Sequence, residues 1–196
     1  MLLYDISRDA LKSRVYDGDP KPQTSWLSKI EYGGEYNLSS VAMCTHTGTH
    51  IDAPYHYLDD GKKIGELNLS RFYGACTVVT ISGIITGEDM DDILPHCRKK
   101  LLIRGEGEAF LTPSAVFVLG DYGVNLVGTD GLSVAQADED FEIHRELFLN
   151  DILILEGLDL SGVEDGDYIL AAFPLKLSAL EASPVRAVLM AQEKGI

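Results

Sequence analysis

The sequence predicts a mixed fold of helices and strands, α/β or α+β, in a single domain over residues 1–196. A chain of 196 residues is long enough for one compact domain with a sizeable core, and two domains of usual size would need a longer chain. Its 45% hydrophobic and 24% charged residues are a balance typical of globular proteins. Segments with strand signals outnumber segments with helix signals, and the two kinds are interspersed along the chain.

Short apolar runs rich in β-branched residues predict the buried strands. The predicted strands are 75–82 (ACTVVTIS), 101–104 (LLIR), 151–157 (DILILEG), 167–173 (DYILAAF) and 185–191 (VRAVLMA). These runs are far too short to cross a bilayer, so a membrane protein is not expected.

Two segments carry helix signals. Thr112 suits an N-cap and Pro113 suits a first helical position, which predicts a helix through about Tyr122 before the chain returns to the sheet at NLVGTD. The acidic run 137–151 (ADEDFEIHRELFLND) predicts a short helix with carboxylates at its amino-terminal end, where the helix dipole favours them. Residues 17–25 (DGDPKPQTS) hold a glycine and two prolines and predict an irregular loop.

Charge and cysteine content narrow the functional classes. The chain has 16 basic and 31 acidic residues, and a net charge of −15 opposes binding to nucleic acid. The three cysteines are odd in number and form no CxxC pair, which favours a reduced, cytoplasmic protein. The amino-terminal residues have no basic region before an apolar one, unlike a secretory signal. Neither a GxGxxG after a strand nor a P-loop is present, so the common nucleotide-binding folds lose support.

The segment HTGTHIDAPYH, residues 46–56, predicts a metal site. Its glycine, threonines and proline disfavour a helix. In an extended segment, side chains two positions apart point to the same side. His46, His50, Asp52 and His56 are separated by even numbers of residues, so their side chains would share one side of such a segment. Imidazole and carboxylate ligands suit Zn²⁺, with Mn²⁺ or Fe²⁺ as competitors. Spacing alone does not separate the three histidines into ligands and other roles.

A catalytic metal takes ligands from more than one segment, so a second contributor is expected. His144 lies in the acidic run, and Glu156 closes the apolar run ILILE. A buried carboxylate there must be paired or bound to a metal, whereas an exposed strand end would need neither, and both interpretations are open. His96, beside a basic run, is predicted to lie on the surface.

Together these motifs resemble the cyclase family of metal-dependent hydrolases, which includes bacterial kynurenine formamidase and isatin hydrolase. The family signature HxGTHxDxPxH is matched by residues 46–56, and the resemblance continues through VGTDGLSV (127–134), ILEGLDL (154–160) and PLKLSALEASPVRAVL (174–189). It spans nearly the whole chain. The resemblance implies a swivelling β/β/α domain, one or two divalent metals per chain, and a homo-oligomer, dimer or tetramer.

The resemblance also implies roles for individual residues. His46, His50 and Asp52 would hold the first metal. Asp52 would bridge to a second metal held also by His144, with Glu156 near both. His56 would carry protons rather than bind metal, a distinction that spacing could not make.

The activity implied is hydrolysis of a small amide, with N-formylkynurenine as the expected substrate and kynurenine and formate as products. A cyclic amide or lactone, as for isatin hydrolase, is the alternative substrate class, and a non-catalytic metal-binding homologue is a further alternative. Tyr16 stands where the family's formamidase has a pocket tryptophan, and Asp17 replaces the proline of its Pro-Gly-Asp loop. Tyr16, and Trp26 as a second aromatic residue, are therefore the candidates for stacking on the substrate.

Overall fold

The computed structural model describes residues 1–191, so the last five residues of the predicted domain, 192–196, lie outside the described residues. The strands in chain order are β1 (Leu2–Asp5), β2 (Gln23–Ser28), β3 (Leu38–Ala42), β4 (His50–Asp52), β5 (Tyr73–Thr80), β6 (Gly83–Ile85), β7 (Lys100–Arg104), β8 (Ala109–Leu111), β9 (Leu126–Thr129), β10 (Leu153–Glu156), β11 (Gly166–Ala171), β12 (Ala182–Pro184) and β13 (Val188–Ala191). The α-helices are α1 (Gly87–Ile93), α2 (Pro113–Asp121) and α3 (Asp140–Leu149). Short 3₁₀ helices span Ile30–Tyr32, Pro54–His56, Ile64–Glu66, Leu69–Phe72 and Leu94–His96.

Nine strands form one sheet in the order β1-β13-β11-β5-β7-β9-β10-β4-β12. The central strands β5, β7, β9 and β10 run parallel, and the strands on either side of them pair antiparallel. The remaining strands form two small sheets, β2-β3 and β6-β8. This mixture of parallel strands, antiparallel strands and helices confirms the predicted α/β or α+β class.

Each face of the large sheet carries its own hydrophobic core, because successive side chains of a strand point to opposite faces. In β7, Leu102 packs into one core while Leu101 and Ile103 pack into the other. The buried hydrophobic side chains of all three α-helices belong to the second core, so the helices cover that face of the sheet. The first core joins Ile51 of β4 to Leu189 of β13, from opposite ends of the strand order, so the sheet curls around it.

Most predicted elements are present with shifted ends. The five predicted strands correspond to β5, β7, β10, β11 and β13, and NLVGTD contains β9. The predicted helix from Pro113 is α2, whose Thr112 hydroxyl accepts the Ala115 N–H at 3.3 Å, a cap worth about 1 kcal/mol. Gly123 follows it with φ +67°. The acidic run contains α3, with Asp140 and Glu142 in its first turn.

Two sequence expectations are corrected. The irregular loop predicted over 17–25 ends at residue 22, because residues from Gln23 onward pair with β3 as a hairpin. The extended conformation predicted for 46–56 is wrong at both ends. His46 lies in a turn and His56 in a 3₁₀ helix begun by Pro54, and only His50–Asp52 is a strand.

Among residues 1–191, no helix is long and apolar enough to cross a membrane.

Candidate metal centre

Strand β4 and helix α3 bring the predicted metal ligands together. β4 lies between β10 and β12, and its register places His50 opposite Glu156. Opposed residues point to the same face, and Asp52 follows His50 by two positions, so all three side chains share one face. α3 packs on that face and supplies His144. The exposed strand-end interpretation of Glu156 is wrong, because only 4% of the residue is accessible.

A close approach between two glycines fixes the entry to β4. Gly157 has φ +66°, and a Cβ there would lie 2.3 Å from the Gly48 carbonyl oxygen. Gly48 itself has φ +72°. Its carbonyl oxygen lies 3.0 Å from His50 Nδ1, and the Thr49 hydroxyl donates to the Gly157 carbonyl at 2.6 Å. Only glycine permits both the backbone conformation and the contact that hold the His50 ring in place.

The ligand atoms form two groups that share Asp52. One group is His46, His50 and Asp52, the other is Asp52, His144 and Glu156, and within each the ligand atoms lie within 4.8 Å of one another. His46 Nδ1 lies 3.0 Å and His50 Nε2 lies 3.4 Å from Asp52 Oδ1. Glu156 approaches His50 Nε2 at 3.4 Å through Oε2 and His144 Nε2 at 3.3 Å through Oε1.

The ring nitrogens outside the cluster have acceptors of their own. His50 Nδ1 faces the Gly48 carbonyl at 3.0 Å, and His144 Nδ1 faces the Asp140 carbonyl at 2.8 Å. A proton on each Nδ1 leaves the Nε2 lone pair directed at the carboxylates, the tautomer that a metal-binding histidine adopts. His46 Nε2 lies 3.5 Å from Glu181, which also accepts the Thr45 hydroxyl at 2.5 Å.

The buried polar atoms of this cluster fit a cation. Among the buried side-chain atoms of residues 1–191, His50 Nε2 and both carboxylate oxygens of Asp52 have no hydrogen-bond partner. The neighbouring ring nitrogens are close to Asp52 but do not have hydrogen-bond geometry toward it. A buried carboxylate without donors is unfavourable by several kcal/mol unless a positive charge compensates it. The mixed nitrogen and oxygen donor set therefore suits a divalent metal.

Without a metal, protonated histidines supply the positive charge that compensates the buried carboxylates. Burial lowers the pKa of His50, but Asp52 and Glu156 outweigh it and raise the pKa to about 9. Burial likewise lowers the pKa of His144, and Glu156 raises it to about 9. The pKa of Asp52 is held below its ordinary value by His46 and His50, despite burial that acts in the opposite direction.

Metal affinity is therefore predicted to rise with pH up to about pH 9. Below that pH, His50 and His144 are imidazolium in the metal-free protein, and each must release a proton before it can bind a metal. Each displaced proton should strengthen apparent affinity by about tenfold per pH unit. Competition titrations against a chelator, corrected for the chelator's own protonation, measure this slope. An affinity that does not change between neutral pH and about pH 9 would contradict it.

His56 lies beside the cluster and belongs to neither ligand group. Its ring centre is 4.2 Å from that of His46 and 4.4 Å from that of Tyr57. Burial lowers the pKa of His56 below its ordinary value of 6.5, and the opposing effect of Asp52 is smaller. The ring is therefore neutral at pH 7 and able to accept a proton.

The cluster opens into a cavity of about 150 Å³ lined by His46, His56 and His144. Tyr16 also lines this cavity, as the sequence predicted, whereas Trp26 does not. Trp26 lies on the β2-β3 hairpin, 57% exposed, beneath the Lys29 ammonium. The structure therefore gives Trp26 no place at the cavity wall. His96 is exposed, as predicted.

Sequence reasoning missed a hydrogen-bonded group centred on Asp140. The Tyr57 hydroxyl donates to Asp140 Oδ2 and the Ser133 hydroxyl donates to Asp140 Oδ1, both at 2.5 Å. The Tyr57 ring stacks on His144, with ring centres 4.8 Å apart and planes 28° apart. The four-residue spacing of Asp140 and His144 on one helix was a usable signal, whereas Ser133 and Tyr57 join the group only through the tertiary fold.

The sequence of this chain is similar to those of known proteins. Residues 4–136 match the family model described as "Putative cyclase". The kynurenine formamidase of Delftia acidovorans (strain DSM 14801 / SPH-1) is 36% identical over an alignment of 203 positions, and the alignment covers 96% of this chain and 97% of that protein.

Solved structures share the fold over almost their whole length. A potential metal-dependent hydrolase with cyclase activity superposes with a TM-score of 0.79 at 28% identity, covering 98% of both chains. Isatin hydrolase A from Labrenzia aggregata superposes with a TM-score of 0.83 at 19% identity, covering 98% of this chain and 94% of that one. These likenesses confirm the cyclase-like β/β/α fold. Because the sequence match and the fold agree over nearly the whole chain, the protein belongs to the cyclase family.

Proposed function

We propose that this protein is a metal-dependent amide hydrolase that converts N-formylkynurenine to kynurenine and formate. The observation that carries the proposal is the pair of ligand groups sharing the buried, unpartnered Asp52, with His56 beside them at the cavity wall. The similarity to a kynurenine formamidase along the whole chain supports the choice of substrate.

In this proposal, His46, His50 and Asp52 hold one divalent metal, and Asp52, His144 and Glu156 hold a second. Zn²⁺ is the expected ion and Mn²⁺ the alternative, because imidazole and carboxylate serve both. When bound, such an ion supplies a Lewis acid that acidifies water and polarises a carbonyl oxygen.

His56 supplies the proton transfers. Its neutral ring accepts a proton from water at a ring nitrogen as the water oxygen bonds to the formyl carbon. It then gives that proton to the aromatic amine nitrogen as the C–N bond breaks, so that water and the formamide become the free amine and formic acid, which loses a proton to solvent as formate. Tyr57 limits the movement of His144 by stacking on its ring, while its hydroxyl is held by Asp140. Tyr16, which lines the cavity, is the proposed aromatic contact for the substrate ring.

We propose a cytoplasmic homo-oligomer, a dimer or a tetramer, acting on a small-molecule substrate. The three free cysteines fit a reducing compartment.

Formate release from N-formylkynurenine is the predicted activity of the metal-loaded protein. The physical reason is that the cavity places an acceptor for the water proton beside the metal ligands. A coupled formate assay and an isatin ring-opening assay should be run side by side on the same preparation. Ring opening of isatin without formate release would favour a cyclic-amide hydrolase instead. Tight metal binding without either activity would favour a non-catalytic homologue.

A further inference from the structure

A second space adjoins the cavity that holds the metal ligands. It is a cleft of about 760 Å³, and Tyr16, Leu132 and Ser133 line both spaces. The inner cavity, at about 150 Å³, is smaller than the roughly 300–1,000 Å³ of sites that enclose small organic molecules. A substrate whose reacting group enters the inner cavity can therefore extend its remaining atoms past Tyr16, Leu132 and Ser133 into the cleft.

The cleft carries charges of both signs. Arg14 is the only lysine or arginine among the residues that line the two spaces. Asp17 and Asp138 line the same cleft. All three residues are exposed, and within residues 1–191 none of their side chains makes a hydrogen bond or an ion pair. Their charged groups are therefore available to a ligand in the cleft.

This arrangement suits a zwitterion better than a single charge. A guanidinium binds a carboxylate through two parallel hydrogen bonds, and a carboxylate accepts from an ammonium. A purely anionic group would be repelled by the two aspartates and by the net charge of −15, whereas a purely cationic group would leave the Arg14 guanidinium without a partner. An α-amino-acid end presents both charges a few ångströms apart.

We propose that the cleft binds the α-amino-acid end of the substrate, with Arg14 at the carboxylate and Asp17 and Asp138 facing the ammonium. This inference rests on the proposed function, because N-formylkynurenine carries its amino-acid group at the end remote from the formamide. It makes Arg14 a specificity-determining residue. A neutral cyclic amide such as isatin has no group for Arg14 to bind.

The test compares Arg14→Gln with the metal-loaded wild-type protein on two formanilides. N-formylkynurenine has the amino-acid end, and 2′-formamidoacetophenone has the same formamide without it. Arg14→Gln is expected to lower kcat/KM for N-formylkynurenine about tenfold, mainly through KM, and to leave the truncated substrate unchanged. Lys12→Gln is the matched control, because Lys12 is exposed, pairs with Asp9 at 3.4 Å and lines neither space, yet the change removes the same charge.

Binding of kynurenine, measured by calorimetry, tests the cleft without turnover. Arg14→Gln is expected to bind it about tenfold more weakly than Lys12→Gln does. Two results would overturn the role of Arg14. One is equal affinity of Arg14→Gln and Lys12→Gln for kynurenine, and the other is an equal loss of kcat/KM by Arg14→Gln on both formanilides. Wild-type protein that binds kynurenine through Arg14 but releases no formate would support the cleft assignment and overturn the proposed function instead.

Discussion

Asp52→Asn is expected to abolish metal binding and to lower kcat/KM on the order of 10³-fold or more. Asp52 is common to both ligand groups, so the substitution removes a negative charge from each of them at once. A metal supplies several kcal/mol of transition-state stabilisation in hydrolysis, and each 1.4 kcal/mol corresponds to about tenfold in rate. Elemental analysis of the purified variant gives the metal content, and the formate assay gives the rate.

The matched control is Asp60→Asn, a change of the same type at an exposed residue eight positions away. It is expected to keep both metal and rate. Circular dichroism should show that both variants are folded, because β4 is held by main-chain pairing to β10 and β12. An Asp52→Asn protein with full metal content and wild-type rate would rule out Asp52 as the shared ligand.

His56→Ala is expected to retain metal and to lose about 10² to 10⁴ in kcat, the usual contribution of a positioned general acid–base group. His56 belongs to neither ligand group, so its loss leaves the donor set complete. Its ring lies close enough to His46 and Tyr57 for the alanine to open space, which small imidazoles added to the assay could fill. Partial rescue by imidazole would assign the lost rate to proton transfer.

The control here is His96→Ala, because His96 is an exposed histidine on the 3₁₀ helix Leu94–His96. It is expected to match the wild type in metal content and rate. A wild-type rate for His56→Ala would remove the proposed proton role. Loss of metal from His56→Ala would instead make His56 a ligand.

The sequence predicted the central part of the fold best. Strands such as β7 and β10 lie between two cores, so each contains three consecutive apolar residues, Leu101–Ile103 and Leu153–Leu155, and these runs stand out in the sequence. The hairpin β2-β3 has almost every residue exposed and no such apolar pattern, so it was missed. α1 was also missed, although Thr86 and Asp89 form a capping box there that could have indicated it.

Much of the candidate metal centre followed from ligand chemistry and family resemblance. His46, His50, Asp52, His144 and Glu156 converge in the structure as expected. Local spacing could not predict how they converge. The two-residue alternation of an extended segment applies only within β4, to His50 and Asp52. The positions of His46 and His56 depend instead on the turn at Gly48 and on the 3₁₀ helix that begins at Pro54. The Asp140 group and the cleft at Arg14 depend on contacts between distant segments, which carry no short-range pattern.

The pairing of β4 with β10 has a consequence for how new activities could arise on this scaffold. His50 and Glu156 are set opposite each other by backbone hydrogen bonds, and a slip of one residue would turn one of them to the wrong face. The residues that line the outer cleft come largely from loops and can vary without disturbing that register. A laboratory that wished to redirect the catalyst would therefore randomise the cleft and leave the strand pair alone.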